Sequence, residues 1–143
     1  MIDYFKQIEI RWSDLDPNFH LRHSAYYDFG AYSRISFMND HGLTPQVLSH
    51  LHIGPIIFRE ECVFRKEIKF GDIITINLRV ENAKEDFSRW TMVHEIWKDS
   101  NILCAVITLD CAWMDTVKRK LTIPPDSFKE IFSEILKEDS AKQ

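Results

Sequence analysis

Between Arg11 and Tyr27 the chain reads Arg-Trp-Ser-Asp-Leu-Asp-Pro-Asn-Phe-His-Leu-Arg-His-Ser-Ala-Tyr-Tyr. Two carboxylates (Asp14, Asp16), an amide (Asn18) and two imidazoles (His20, His23) fall within ten residues of it. Asp16, between Leu15 and Pro17, is the first candidate for chemistry. At a turn leading into a helix, a carboxylate can act on an acyl carbonyl as nucleophile or, with water, as general base. The opening N–H groups of the helix can take up the negative charge that develops on the carbonyl oxygen. Asn18 and His20 follow at alternate positions, so an extended stretch would put all three side chains on one side. Asn18 can then orient a carbonyl or a water, and His20 can hydrogen-bond the carboxylate or carry a proton. His23 acts, at this position, through its backbone N–H rather than its ring. Two other readings stand beside this one. Asp14 and Asp16 are residue types that make local turn hydrogen bonds. Asp14, Asp16, His20 and His23 also form a compact donor set for the metal ion of a hydrolase, although no distant ligand completes it.

A turn of this kind needs a strand to deliver it and a helix to receive it. Residues 4 to 12 alternate as a half-buried strand does. Residues 24 to 41 carry Tyr26, Phe29, Tyr32, Ile35, Phe37 and Met38 at helical spacing, with Ser24 as N-cap and Gly42 as the stop. The small residues among them, Gly30 included, imply close packing around this helix. Four strand-like runs follow, at 55 to 70, 73 to 82, 88 to 98 and 101 to 115. The breaks at 70 to 72, 84 to 86 and 99 to 101 read as turns between antiparallel neighbours. The fourth run is apolar on both parities, which predicts a central strand covered on both faces. On the third, Trp90, Met92, His94 and Ile96 share one face and read as core. Residues 118 to 123 add a short closing strand, and Pro124-Pro125 introduces a terminal amphipathic helix through Phe128, Ile131, Phe132, Ile135 and Leu136. This is an α+β layout, a long central helix wrapped by a curved antiparallel sheet plus a C-terminal helix. One helix does not cover so wide a sheet, so a homodimer or tetramer is expected.

Composition narrows the class. The 143 residues fit a single domain, 1 to 143, with a polar tail from Lys137 that is expected to fray. A net charge of −4 argues against nucleic acid and anionic membrane as partners. The three cysteines, Cys62, Cys104 and Cys111, sit in apolar runs and read as small buried side chains in a reducing compartment. No leader-like start and no membrane-length apolar run is present, so a cytoplasmic location is expected.

The stretch from Arg11 to Tyr26 resembles the signature turn of hotdog-fold thioesterases of the 4-hydroxybenzoyl-CoA thioesterase type, where an Asp-x-Asp turn leads through a Gly-His-Val-Asn-Asn-like segment to a Tyr on the central helix. Phe70-Gly-Asp72-Ile-Ile-Thr-Ile resembles the same family's Gly-Asp turn, with the basic, aromatic Phe64-Arg-Lys before it. The likeness spans roughly residues 4 to 124. It implies an acyl-CoA thioesterase with its catalytic carboxylate at Asp16 and the amide that polarises the thioester carbonyl near His23. The related acyl-carrier-protein thioesterases of plants carry Asp, Asn and His at alternate positions, which match Asp16, Asn18 and His20. Their further downstream acid or thiol has Glu60 as its candidate here. Tyr26 is the helix tyrosine, and Phe19 stands where the family has Gly and shapes the acyl pocket. Arg22-His23 replaces the usual Asn-Asn pair, which leaves room for a non-catalytic acyl-thioester binder as the alternative. The resemblance implies no cofactor, coenzyme A being part of the substrate, and an acyl-CoA or acyl-carrier-protein thioester as partner. Lys84, Arg89, Arg65, Lys66 and Lys118-Arg119-Lys120 are available for its phosphates.

Overall fold

The computed structural model describes residues 3–137. Strand β1, Tyr4–Ile8, is shorter than the alternation predicts. It ends there because the Asp14 carboxylate accepts from the Arg11 backbone N–H and guanidinium, drawing Trp12–Asp14 into a single 3-10 turn. Helix α1, Ala25–Asp40, closes at Gly42, whose φ of +82° suits glycine. Helix α2, Pro45–Leu51, was not expected from the sequence. Thr44 caps it, its Oγ1 accepting from the Val47 N–H, and Pro45 opens its first turn.

The remaining elements are β2 (Ile53–Phe64), β3 (Ile74–Ala83), β4 (Arg89–Lys98), β5 (Ile102–Asp115), the two-residue β6 (Lys120–Leu121) and α3 (Asp126–Ser133). The strands form one antiparallel sheet in the order β1-β3-β4-β5-β2, with β6 on β5. Two expectations need correction. The break at 70 to 72 is not a hairpin, because β2 and β3 lie three places apart, and residues 65 to 73 cross the end of the sheet between them. Strand β5 is interior, flanked by β4 and β2, but it is not covered on both faces, since its outer face (Val106, Thr108, Asp110) is only half buried.

The sheet curls around α1 as in a hotdog fold, with Tyr26, Phe29, Gly30, Ser33 and Phe37 of the helix buried against it. Its inner face is built from Ile74, Ile76, Leu78 and Val80 on β3, Trp90, Met92, His94 and Ile96 on β4, and Ile107 and Leu109 on β5, none more than 5% exposed. Alternation along each strand, one face apolar and the other carrying Asn77, Arg79 and Glu95, is what fixes the register. At the far end α3 plugs the roll. Phe128 and Phe132 pack on Trp113 at centroid separations of 5.0 and 6.1 Å, and Phe132 also meets Phe37 and Phe87. The chain then lies along β3, where Lys137 donates its N–H to Val80 O and its ammonium pairs with Glu81. Lys137 is thus held rather than frayed, and residues 138 to 143 lie outside the described residues.

Candidate functional site

Residues 15 to 21 form a miniature hairpin. Leu15 pairs with Leu21, Asp16 N–H donates to His20 O at 2.8 Å, and Phe19 N–H donates to Asp16 O at 3.0 Å. This is the pattern of a three-residue hairpin loop, whose last loop residue takes the left-handed conformation and is ordinarily glycine. Here that residue is Phe19, at φ +62°. Its ring is exposed and tilts against Trp12, centroids 5.8 Å apart.

The Asp16 carboxylate sits at the base of the loop. Its Oδ1 accepts the N–H groups of Asn18 (2.9 Å) and His20 (3.1 Å), which fixes the group and leaves Oδ2 to act. The local hydrogen bonding expected of a turn aspartate is therefore present, and it orients the carboxylate. Because the segment folds back on itself, it does not line up Asp16, Asn18 and His20 as an extended stretch would. Asn18 is exposed at the loop tip, and the His20 ring turns to Glu67, Nε2 to Oε2 3.3 Å. Asp14 is different in kind. It is fully buried and gripped by Arg11, with Arg22 3.9 Å away. Hydrogen bonds from the Arg11 guanidinium hold its carboxyl below the usual range. Asp14 serves the fold, and among the described residues no three His, Cys, Asp or Glu side chains converge as metal ligands.

The hairpin is stitched to the crossover segment. Leu21 N–H donates to Ile68 O at 2.7 Å, His20 bridges Lys69, and Asp72 caps the same loop by accepting the Lys69 N–H. The Gly71-Asp72 turn thus buttresses the site from the opposite strand connection. His23 is exposed where the chain enters α1. Ser24 makes no side-chain cap, its Oγ accepting instead from the Arg22 guanidinium. The Ala25 N–H donates to Arg22 O at 3.0 Å, and the N–H groups that follow it in the first turn of α1 have no side-chain cap. Tyr26, in that first turn, is buried and meets Phe64 edge-on at 4.9 Å. Its hydroxyl is pushed up to about 12 by burial first, then by Cys104, Cys62 and Asp16 nearby. Asp16, the start of α1, Tyr26 and the β2 side chains Cys62 and Phe64 therefore share one neighbourhood.

Other sequence candidates lie elsewhere. Lys84 and Arg89 close the β3–β4 hairpin, with the Arg89 guanidinium 4.9 Å above the Phe58 ring. The site lies at the other end of β4, where Lys98 reaches Asp72, about 30 Å away along ten residues of strand. One protomer does not bring Lys84 or Arg89 to Asp16. Glu60 does face inward, though not for the reason of simple parity. A bulge between Ile57 and Arg59 shifts the alternation, so Glu60, Cys62 and Phe64 oppose Leu109, Ile107 and Ala105. Cavities of the protomer lie beside other residues, among them one of about 350 Å³ beside Lys84, Arg89 and Phe58 and one of about 450 Å³ between β1 and Tyr32. Asp16 is half-buried and His23 exposed, and neither borders any of these cavities.

The sequence reading passed over Arg34, which the structure sets 3.0 Å from buried His94. Its signal was available, since Gly30 and Arg34 are one helical turn apart on an otherwise apolar, buried face.

Residues 10–132 match the family model of the thioesterase-like superfamily, and the chain belongs to that family. Its fold is that of solved hotdog proteins. A Staphylococcus aureus protein solved in complex with CoA superposes with a TM-score of 0.87 at 15% identity, over 97% of this chain and 89% of that one. A 1,4-dihydroxy-2-naphthoyl-CoA thioesterase from Synechocystis gives 0.82 at 14% identity, over 93% and 97%. The DHNA-CoA thioesterase of Staphylococcus aureus gives 0.82 at 16%, over 94% and 91%. No curated protein matches the chain.

Proposed function

We propose that the chain is a thioester hydrolase acting on an acyl-CoA or acyl-carrier-protein substrate. The observation that carries this reading is the Asp16 carboxylate, one oxygen fixed by the Asn18 and His20 amides, beside the uncapped first turn of α1. Two solved relatives of the fold are named as CoA thioesterases and a third was solved with CoA, which agrees with the reading.

In this mechanism the thioester carbonyl oxygen accepts N–H groups at the start of α1, near His23, and the carbonyl carbon becomes electrophilic. Asp16 Oδ2 either takes a proton from the attacking water or itself attacks the carbon. With water as the attacker, its C–O bond forms, the C–S bond breaks, and the leaving thiolate takes the proton held by Asp16. With Asp16 as the attacker, the C–S bond breaks to leave an acyl–Asp16 anhydride, which a water hydrolyses to the free acid and the carboxylate while its proton goes to the thiolate. Asn18 and His20 act chiefly through their backbone N–H groups, by holding the carboxylate, and Tyr26 with Phe64 lines the acyl side.

The free edge of the sheet also supports a homodimer or tetramer. Strand β2 is a sheet edge in the protomer, and Ile57, Phe58, Val63 and Phe64 on it are 46 to 53% exposed. Pairing of this edge with a second copy would satisfy its free backbone groups and cover these side chains. Arg65 and Lys66, just past β2, then stand near the site for CoA phosphates.

A non-catalytic acyl-thioester binder is the second reading, favoured by Phe19 in the glycine conformation and by the Arg22 side chain, which is spent on Ser13 O and Ser24. A thiol-release screen over short, long and aromatic acyl donors, on CoA and on carrier protein, separates the two. Release by wild type that Asp16→Ala lacks supports hydrolysis. Saturable binding with no release on any donor supports the binder.

A further inference from the structure

A second polar cluster lies under α1 that the chemistry at Asp16 does not use. Arg34 on α1, Glu60 on β2 and His94 on β4 meet between the helix and the inner face of the sheet. Arg34 Nη1 donates to His94 Nε2 at 3.0 Å, and His94 Nδ1 donates to Asn77 O at 2.8 Å. The same guanidinium nitrogen is 3.6 Å from Glu60 Oε2, beyond hydrogen-bond range. Glu60 Oε2 is buried and has no hydrogen-bond partner among the described residues. A buried carboxylate oxygen is costly to leave without a donor. Gly30 makes the space: a Cβ there would stand 3.1 Å from Arg34 Nη1 and 3.2 Å from His94 Cδ2.

This cluster and the thioester site lie along the same two elements, α1 and β2. Two rungs span the gap between α1 and β2. The first is Tyr26 against Phe64, beside Asp16. The second is Arg34 against Glu60, eight residues further along the helix and four back along the strand. Both paths give the same separation, about 12 Å at 1.5 Å per helical residue and about 13 Å at 3.3 Å per strand residue. Between the rungs, on β2, stands the small side chain of Cys62. On β2, Phe64 is 50% exposed and the Glu60 side chain 23%.

We infer that Arg34 and Glu60 are the far end of the acyl site and bind a hydroxyl carried about ten chain atoms from the thioester carbon, at the roughly 1.25 Å per bond of an extended chain. The inference rests on the thioesterase reading and names its substrate class. Arg34, with five N–H donors of which one goes to His94, donates to the hydroxyl oxygen. The hydroxyl proton goes to Glu60 Oε2. A methyl terminus satisfies neither group, and a carboxylate terminus meets the charge of Glu60. A single aromatic ring does not span the distance.

The test compares kcat/KM for 10-hydroxydecanoyl-CoA and decanoyl-CoA. Wild type favours the hydroxylated substrate by about 10- to 100-fold, the cost of leaving a buried polar group unpaired with the plain chain. Glu60→Leu brings that ratio close to one, and Glu60→Gln, which keeps an acceptor oxygen, retains part of it. Calorimetric binding of 10-hydroxydecanoate against decanoate repeats the comparison without turnover. Asp16-dependent turnover of both substrates at equal kcat/KM overturns the hydroxyl site and leaves the thioesterase reading intact. Loss of the dimer or tetramer in Glu60→Leu by light scattering, with no substrate preference in wild type, assigns Glu60 to the subunit contact and overturns it as well.

Discussion

Arg34 donates to His94 Nε2, so His94 keeps its proton on Nδ1 and remains neutral inside the roll. Burial first, and then the Arg34 charge, push the imidazole down to about 3. A histidine that protonates freely only when unfolded makes stability depend on pH. The contribution is complete above the ordinary value of 6.5 and is lost as the pH falls from there toward 3. Between pH 7 and pH 5 wild type loses about 2 kcal/mol to this group, at about 1.4 kcal/mol per pH unit below 6.5. Urea unfolding of wild type and His94→Gln at the two pH values reads it. The difference between the proteins is expected to shrink at pH 5, and an unchanged difference refutes the assignment.

Asp14 makes a separate acid-sensitive contribution. Its carboxyl is depressed by Arg11, so the stabilisation exists above the ordinary carboxyl value of 3.8 and drains away as the pH falls below it toward the folded value. Asp14→Ala removes the acceptor of the Arg11 backbone N–H and guanidinium and leaves a void at a buried position, and costs about 1 to 2 kcal/mol at pH 7, the exposed Arg11 charge being resolvated. Denaturant midpoints at pH 7 and pH 3 check both points, since the penalty narrows in acid.

Phe19 holds a conformation that disfavours side chains. Phe19→Gly relieves a strain of about 1 kcal/mol, and it gives back part of this through a freer unfolded chain. The variant is expected to melt no lower than wild type. Phe19→Val, β-branched in the same left-handed position, melts lower by the equivalent of about 1 to 2 kcal/mol. A calorimetric scan of the two variants that reverses this order would remove strain as the account of the loop.

Gly30→Ala ordinarily gains about 1 kcal/mol inside a helix. Here the added methyl stands 3.2 Å from a buried imidazole, so the gain is cancelled or reversed. Equilibrium unfolding decides it, and a stabilised variant would mean that the Arg34–His94 contact yields at no cost.

Much of the architecture was legible because it rests on periodicity. The spacing of Tyr26, Phe29, Phe37 and Met38 predicts α1 to within a residue, and alternation in β3 and β4 marks their buried faces. What escaped depends on partners distant in sequence. The stretch from Arg65 to Ile73 looks like a strand continuing into a hairpin, yet it crosses the sheet because β2 pairs with β5. The bulge after Ile57 reverses parity within β2 with no glycine or proline at the shift to announce it. At the candidate site, the placement of Asp16 in a turn just before α1 was readable from residue type and order. The Asn18 and His20 side chains were misplaced, because a three-residue hairpin loop was read as an extended run. Arg34 was missed because an arginine on a helix is ordinarily a surface residue, and only its pairing with Gly30 pointed inward.

The most direct measurement is thiol release from acyl-CoA by wild type and Asp16→Asn at matched folded concentration. Asparagine keeps an oxygen to accept the Asn18 and His20 N–H groups, so the loop survives while the charge is lost. The account predicts a fall in kcat of about 10²- to 10⁴-fold with an unchanged melting temperature. Turnover equal to wild type would contradict it.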